Sequence, residues 1–225
     1  MLVTISRQLG SEGDLIAKRV AVALNLTLVD RDYVSRVALD AGVSSDLLRK
    51  LMYEGRRSLA YDIVDSLGKT ASATPGHNQP PQNPLGGVFA PLLGPEQVSQ
   101  EDAAQSIGAV IRDMASRNDV LVLGQGGQVL LRGIPGACHV KIIAPDALRV
   151  QRVAAREGVS LRTAGRRVKA SDRARDDFVA RFYNANWLDP LFYHIVINTG
   201  QTPADIAVAL IVEAARRLDQ AGRNS

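Results

Sequence analysis

Between Ile5 and Ala21 the chain reads ISRQLGSEGDLIAKRVA, a β-branched run that passes through two glycines, Gly10 and Gly13, into residues of helical spacing. A helix start leaves N–H groups without partners, and the helix dipole adds positive potential, so a phosphate can bind there. The segment departs from the pattern G-x-x-x-x-G-K-[ST], whose lysine grips terminal phosphates, because Gly10-Ser11-Glu12-Gly13-Asp14-Leu15 carries no lysine at that place. Arg7 is the nearest substitute cation, and Lys18 lies about one turn inside the helix. Glu12 must point away for an anion to bind, since a carboxylate about 4 to 6 Å from a phosphate opposes it by ~1 kcal/mol in water-like surroundings and by several times that if desolvated. A plainer reading stays open: the glycines tighten a strand-to-helix turn, and Ser11 and Asp14 cap the helix in an S-x-x-D arrangement.

The second candidate is a concentration of cations. Ten of the 27 basic side chains fall between Arg149 and Arg181, against four acids, Glu157, Asp172, Asp176 and Asp177. Planar guanidinium groups suit phosphate oxygens, and the same residues also suit a solvated, salt-bridged helix in which Arg173 pairs with Asp176 or Asp177. The whole chain carries 27 basic and 23 acidic residues, a net charge of +4, too mild for a nucleic-acid coat and compatible with an anionic ligand. One cysteine, Cys138, excludes an internal disulfide, and His77, His139 and His194 are too far apart for a sequence-local metal site.

The 225 residues, 46% apolar and 22% charged, suffice for one buried core. Strand and helix alternate, which favours a parallel sheet with helices on its faces. Strands are expected at Met1 to Ser6, Thr27 to Val29, Asp119 to Leu123, His139 to Ile143 and His194 to Asn198. Helices are expected from the first turn through Leu15, Ile16, Val20 and Leu24, over Arg31 to Asp40, Ser44 to Ser66, Glu101 to Arg117, Asp146 to Tyr183, and Pro203 to Leu218, the last with a core stripe of Ile206, Leu210, Ile211 and Ala214. Six of the ten prolines lie between Gly68 and Pro95, with one formal charge, Lys69; this reads as an irregular loop, either an inert insertion or a flap over a substrate. Gly124-Gln125-Gly126-Gly127 lacks the G-x-G-x-x-G spacing of a dinucleotide site. Tyr183, Trp187 and Phe192 either pin a mobile segment to the core or stack a base, and Cys138 fills the interior. No stretch reaches the roughly 18 to 20 apolar residues of a membrane span, and Met1 to Ile5 lacks the basic and apolar regions of a leader, so a cytoplasmic chain is expected.

Five segments, taken in order, resemble the cytidylate kinase-like family of nucleoside monophosphate kinases: ISRQLGSEGD, LVDRDYVSRVA, VLVLGQGGQVLLRGIPG, VKIIAPDALRVQRVAAREG and SDRARDDFVARFYNANWLDPLFYHIVINTG. The resemblance implies a P-loop NTPase fold, three α/β/α layers around a five-stranded parallel sheet. It implies one kinase-like domain over residues 1–225, with acceptor-binding helices and the proline-rich loop in 31–118 and a lid in 156–190. It further implies ATP with Mg2+ as cofactors, CMP or dCMP as acceptor, and donor phosphates over Arg7, Gly10, Ser11, Gly13 and Asp14. Asp30 and Arg36 fall where cytidylate kinases hold the acceptor, Arg36 at its phosphate. Arg173 and Arg175, with Asp172 and Asp176, fall in the lid motif, and Arg181 follows. Phosphoryl transfer needs alignment and cations around the equatorial oxygens, so Arg173, Arg175 and Arg181 are the expected catalytic groups.

Two departures stand out. The family's glycine-arginine pair after the third strand is Gly124-Gln125, which replaces a charge-assisted contact of roughly 1.5 to 3 kcal/mol by a neutral amide. A loop glycine is Glu12. No carboxylate ends the DVLVL strand, which leaves Asp14 or Asp30 to act on magnesium through water. A catalytically inactive nucleotide-sensing pseudokinase is therefore the alternative, and a basic RNA-binding protein using Arg149 to Arg181 is a third reading. Nucleotides are the expected partners.

Overall fold

The computed structural model describes residues 1–40, 100–117 and 119–224; the expected helix Ser44 to Ser66 and the loop Gly68 to Pro95 lie outside them. Five short β-branched runs form the strands β1 (Leu2–Arg7), β2 (Thr27–Val29), β3 (Val120–Leu123), β4 (Cys138–Ile143) and β5 (Ile195–Asn198). All pair in parallel in the order β2-β3-β1-β4-β5. A parallel pair needs a long crossover, and each crossover here is helical. The helices are α1 (Gly13–Leu24), α2 (Arg31–Asp40), α3 (Gln100–Arg117), α4 (Gly127–Leu130), α5 (Asp146–Glu157), α6 (Leu161–Tyr183) and α7 (Ala204–Arg223). Among the described residues no helix is long and apolar enough to cross a membrane.

Side chains alternate between the faces of the sheet. Leu2, Val120 and Val122 pack with Val34 of α2 and with Ile107, Val110, Ile111 and Met114 of α3. Val3, Ile5, Leu121, Leu123, Val140 and Ile142 pack with Ile16, Ala17 and Val20 of α1 and with Ala207, Ile211 and Ala215 of α7. The result is three layers. A smaller apolar cluster of Val153, Ala164 and Val168 joins α5 to α6.

The stripe of α7 differs from the expectation. Ala207, Ile211 and Ala215 are fully buried, while Ile206 and Leu210 are 52% and 50% exposed. α7 packs against α1, whose inward face carries Ala17 and Ala21. Close approach of this kind favours small side chains over the most hydrophobic ones. Leu15 of α1, 50% exposed, is displaced from the core in the same way. Cys138 is wholly buried on β4, as expected.

Candidate functional site

The loop between β1 and α1 is built at the carboxyl end of the central strand. Gln8 extends the sheet, its N–H donating to the carbonyl of Ile142 at 3.1 Å and its Oε1 accepting from the N–H of Ala144 at 3.2 Å. Ser11 closes the turn, donating to the carbonyl of Gln8 from its N–H at 3.2 Å and its hydroxyl at 2.8 Å. Gly10 has φ +81, and a Cβ there would sit 2.6 Å from the carbonyl oxygen of Arg149, so only glycine fits.

Behind the loop its carbonyls are held. The carbonyl of Leu9 accepts from Arg149 at 3.4 Å, that of Gly10 from Arg152 at 3.5 Å and that of Ser11 from the Thr199 hydroxyl at 2.8 Å. A trans peptide unit points its C=O and N–H in opposite directions, so tying back Leu9 and Ser11 turns the N–H groups of Gly10 and Glu12 toward the open side. No side chain caps α1, and the N–H groups of Gly10, Glu12, Gly13 and Asp14 donate to no acceptor among the described residues. Successive unpartnered amides at a helix start form an anion-binding concavity. The S-x-x-D cap is not formed: the Ser11 hydroxyl serves Gln8, and Asp14 accepts from Arg7 Nε at 3.0 Å.

The two acids of the loop are neutralised by arginines. Glu12, in the left-handed region at φ 64, places its carboxylate 3.2 Å from Arg152 on α5. Arg152 also donates to the Thr199 hydroxyl and carbonyl at 3.0 and 3.1 Å. Glu12 is thereby drawn aside, as phosphate binding requires. Burial alone would raise the Asp14 carboxyl, but Arg7 beside it, with Arg175 and Arg156, holds it below the usual carboxylate range. Arg149 is 1% exposed and is clamped by both oxygens of Asp172, at 3.0 and 2.7 Å, and by Asp146 at 2.6 Å. One buried guanidinium thus joins α5, α6 and the loop.

A cleft opens beside this loop, between β1 and the turn after β3. Gly124, Gln125 and Gly126 have φ values of 81, 56 and 67 in succession, which bends the chain sharply from β3 into α4. α6 lies on this turn. The Tyr183 hydroxyl donates to the carbonyl of Gln125 at 3.1 Å, and the Tyr183 ring occupies the space where a Cβ of Gly126 would fall, 2.2 Å from Cε2. Ser6, Arg7, Gln125, Gln128, Arg175 and Phe178 line the remaining cavity of about 10 Å³, room for about one water. Trp187 closes one end: it is 3% exposed, and its indole N–H donates to Ser6 Oγ at 2.8 Å. The Lys141 ammonium sits 3.8 Å from the Trp187 ring centroid and donates to the Trp187 carbonyl at 2.6 Å. Burial pushes Lys141 down to about 7.

The residues singled out in the sequence separate into two groups. Arg7, Gly10, Ser11, Gly13 and Asp14 converge on the first loop, while Gln125 and Arg175 line the cleft with Arg7. Asp172 is engaged by Arg149. Arg173, Asp176 and Arg181 are exposed on α6, Arg181 lying 5.4 Å from the Phe182 ring centroid. Asp30 accepts from the N–H of Tyr33 at 2.8 Å and caps α2, and Arg36 is exposed with its guanidinium 5.7 Å from the Tyr33 ring centroid; neither lines the cleft. Thr199, Lys141 and Gln128 were not singled out, and Arg149 and Arg152 stood out only as members of the cation-rich segment. A lysine inside an apolar strand, HVKII, was the one local signal for Lys141. Among the described residues no three His, Cys, Asp or Glu side chains cluster as metal ligands.

The sequence model of the cytidylate kinase-like family matches residues 2–201. The chain is 30% identical over 105 residues to a cytidylate kinase from Aeropyrum pernix, covering 47% of this chain and 60% of that one. It is also 33% identical over 135 residues to a uronate isomerase from Corynebacterium glutamicum, covering 56% of this chain and 26% of that one. The matches thus span about a quarter and 60% of the lengths of these relatives. A crystal structure of an uncharacterized protein from Eubacterium ventriosum superposes with a TM-score of 0.66 at 20% identity, over 96% of this chain and 98% of that one. A gluconokinase from Sinorhizobium meliloti superposes with a TM-score of 0.50 at 14% identity, over 97% and 93%. At such identities these structures speak to the fold alone, a five-stranded parallel sheet between helical layers.

Proposed function

We propose that this chain, which belongs to the cytidylate kinase-like family, transfers a phosphoryl group from ATP to a nucleoside monophosphate, with CMP and dCMP as the first acceptors to test. The observation that carries this reading is the loop of Leu9 to Asp14: the N–H groups of Gly10, Glu12, Gly13 and Asp14 are without acceptors among the described residues, the carbonyls of Leu9, Gly10 and Ser11 are held from behind, and its two carboxylates are turned onto Arg152 and Arg7. Oriented amides and Arg7 stand in for the missing lysine in cradling the donor phosphates. The acceptor enters the neighbouring cleft, where Arg175 and Arg7 meet its phosphate and Gln125 borders it. Residues 31–118, with Asp30 and Arg36, form the rest of the acceptor side. Residues 156–190 act as the lid: α6 must lift Tyr183 and Phe178 off the cleft to admit the acceptor, and it brings Arg173 and Arg181 with it when it closes.

Phosphoryl transfer is catalysed by alignment and by positive charge around the equatorial oxygens. Asp14, which Arg7 keeps ionised, would hold magnesium through water, and the metal would supply charge neutralisation at those oxygens. In Mg-ATP, a coupled ADP-release assay across CMP, dCMP, UMP and AMP is expected to show turnover with at least one acceptor. No turnover with any of them removes the reading. Gln125 in place of a cation favours a second reading, a nucleotide sensor; thermal stabilisation by ATP or CMP with no ADP formed would establish it.

A further inference from the structure

One buried polar group in the cleft has no task in the scheme above. Gln128, in α4, is 2% exposed, lines the cleft with Arg7, Gln125 and Arg175, and its Nε2 has no hydrogen-bond partner among the described residues. Its polar neighbours on the same sheet face are paired: Thr4 Oγ1 with His139 Nδ1 at 2.8 Å, Ser6 Oγ with the Trp187 indole at 2.8 Å, and Lys141 Nζ with the Trp187 carbonyl at 2.6 Å. A desolvated N–H without an acceptor destabilises the free fold, so an orphan of this kind calls for an explanation. Its place in a cleft that also holds two guanidinium groups supplies one.

The geometry points to Gln128 as a specificity-determining residue for the acceptor, its Nε2 donating to an uncharged oxygen of the monophosphate, a sugar hydroxyl or a base carbonyl. The partner is an acceptor atom because Nε2 carries only donors. It is uncharged because Arg7 and Arg175 offer the phosphate stronger, charge-assisted contacts. An acceptor that displaces Tyr183 from the closed cleft supplies the missing partner. This assignment rests on the acceptor reading of the cleft and adds to it the residue that tells one acceptor from another.

The test uses the full chain with Gln128→Leu, apolar and one atom shorter than the native side chain, and Gln128→Glu, which matches it in length, and titrates CMP, dCMP, ribose 5-phosphate and ATP beside ligand-free melting curves. Gln128→Leu is expected to weaken CMP about five- to tenfold, to leave ATP unchanged and to raise the ligand-free Tm, because the orphaned donor is gone. Gln128→Glu, which places a carboxylate in a cleft meant for a phosphate, is expected to weaken CMP further. A loss shared by CMP and ribose 5-phosphate but absent for dCMP identifies the 2′-hydroxyl; a loss shared by CMP and dCMP but absent for ribose 5-phosphate identifies a base carbonyl; a loss shared by all three identifies another sugar hydroxyl. Unchanged CMP affinity in both variants, or equal losses of CMP and ATP affinity with a lowered Tm in both, overturns the assignment while the acceptor reading stands. A wild-type chain that binds none of the three overturns that reading and the assignment together.

Discussion

Arg152→Met tests whether the first loop binds phosphate only because Glu12 is held aside. Arg152 lies 3.2 Å from the Glu12 carboxylate and also supports Gly10 and Thr199. Once released, Glu12 can bring its charge to roughly 5 Å from an anion in the concavity that its own N–H helps to form. The opposing energy per unit charge is then about 1 kcal/mol with water-like screening and about 3 kcal/mol at an effective dielectric constant near 20. Binding of Mg-ATP should therefore weaken by roughly five- to a hundredfold. Trp187, the single tryptophan of the chain, gives a fluorescence signal for the titration. The decisive variant is Arg152→Met with Glu12→Gln: removing the carboxylate should restore most of the lost affinity, while Glu12→Gln alone binds ATP at least as well as the native chain. A double variant no tighter than Arg152→Met would show that Arg152 acts on the loop backbone or on the phosphate itself and would refute the electrostatic account.

Three other outcomes follow. Gly126→Ala combines a left-handed φ of +67 with a Cβ 2.2 Å from Tyr183, so it should expel Tyr183, lower stability by ~1 to 3 kcal/mol and make Trp187 more accessible to acrylamide; an unchanged quenching curve would show that α6 does not rest on this turn. Arg175→Ala, which empties the cleft of one guanidinium, should lower kcat at least tenfold more than exposed Arg173→Ala does, with ATP affinity little changed in either; equal effects would contradict the division between the cleft and the solvent face of α6. Lys141 is pushed by burial from an ordinary value of 10.5 to about 7, with Asp172 and Asp176 opposing the shift and Arg175 adding to it. Above pH 7 the unfolded chain therefore holds a proton that the folded chain has released, so this group makes stability rise with pH upward from about 7 and weakens the fold as pH falls through that value. Denaturant titrations between pH 7 and about 8.5, below the range in which Cys138 and Tyr193, raised by burial to about 11 and about 12, act in the opposite sense, should show this rise, and Lys141→Met should abolish it. A slope unchanged in the variant would contradict the assignment.

Local signals in the chain were enough for the sheet and for the glycine turn that leads into α1. Runs such as DVLVL and MLVTIS are apolar and β-branched, and helical segments separate them, so five parallel strands follow from pattern alone. The turn through Gly10 and Gly13 was visible because uncapped helix starts and glycines have a local cause. What closes and tunes the site was hidden because it is nonlocal. Glu12 is drawn aside by Arg152, 140 residues away, and the loop carbonyls are held by Arg149 of α5 and by Thr199 after β5. The S-x-x-D reading failed for the same reason, as Asp14 found Arg7 a better partner than the helix N–H groups. Gln128 looks like any polar residue in a short helix until β1, α6 and the Gly124 turn enclose it.

In the proposed mechanism backbone amides and arginines hold a triphosphate where the P-loop lysine is missing. A crystal structure of the full chain with Mg2+ and a non-hydrolysable ATP analogue tests it most directly. The predicted result places the β- and γ-phosphates on the N–H groups of Gly10, Glu12, Gly13 and Asp14, with Glu12 still paired to Arg152. An analogue bound elsewhere, or a Glu12 carboxylate lying across the concavity in its place, would contradict it.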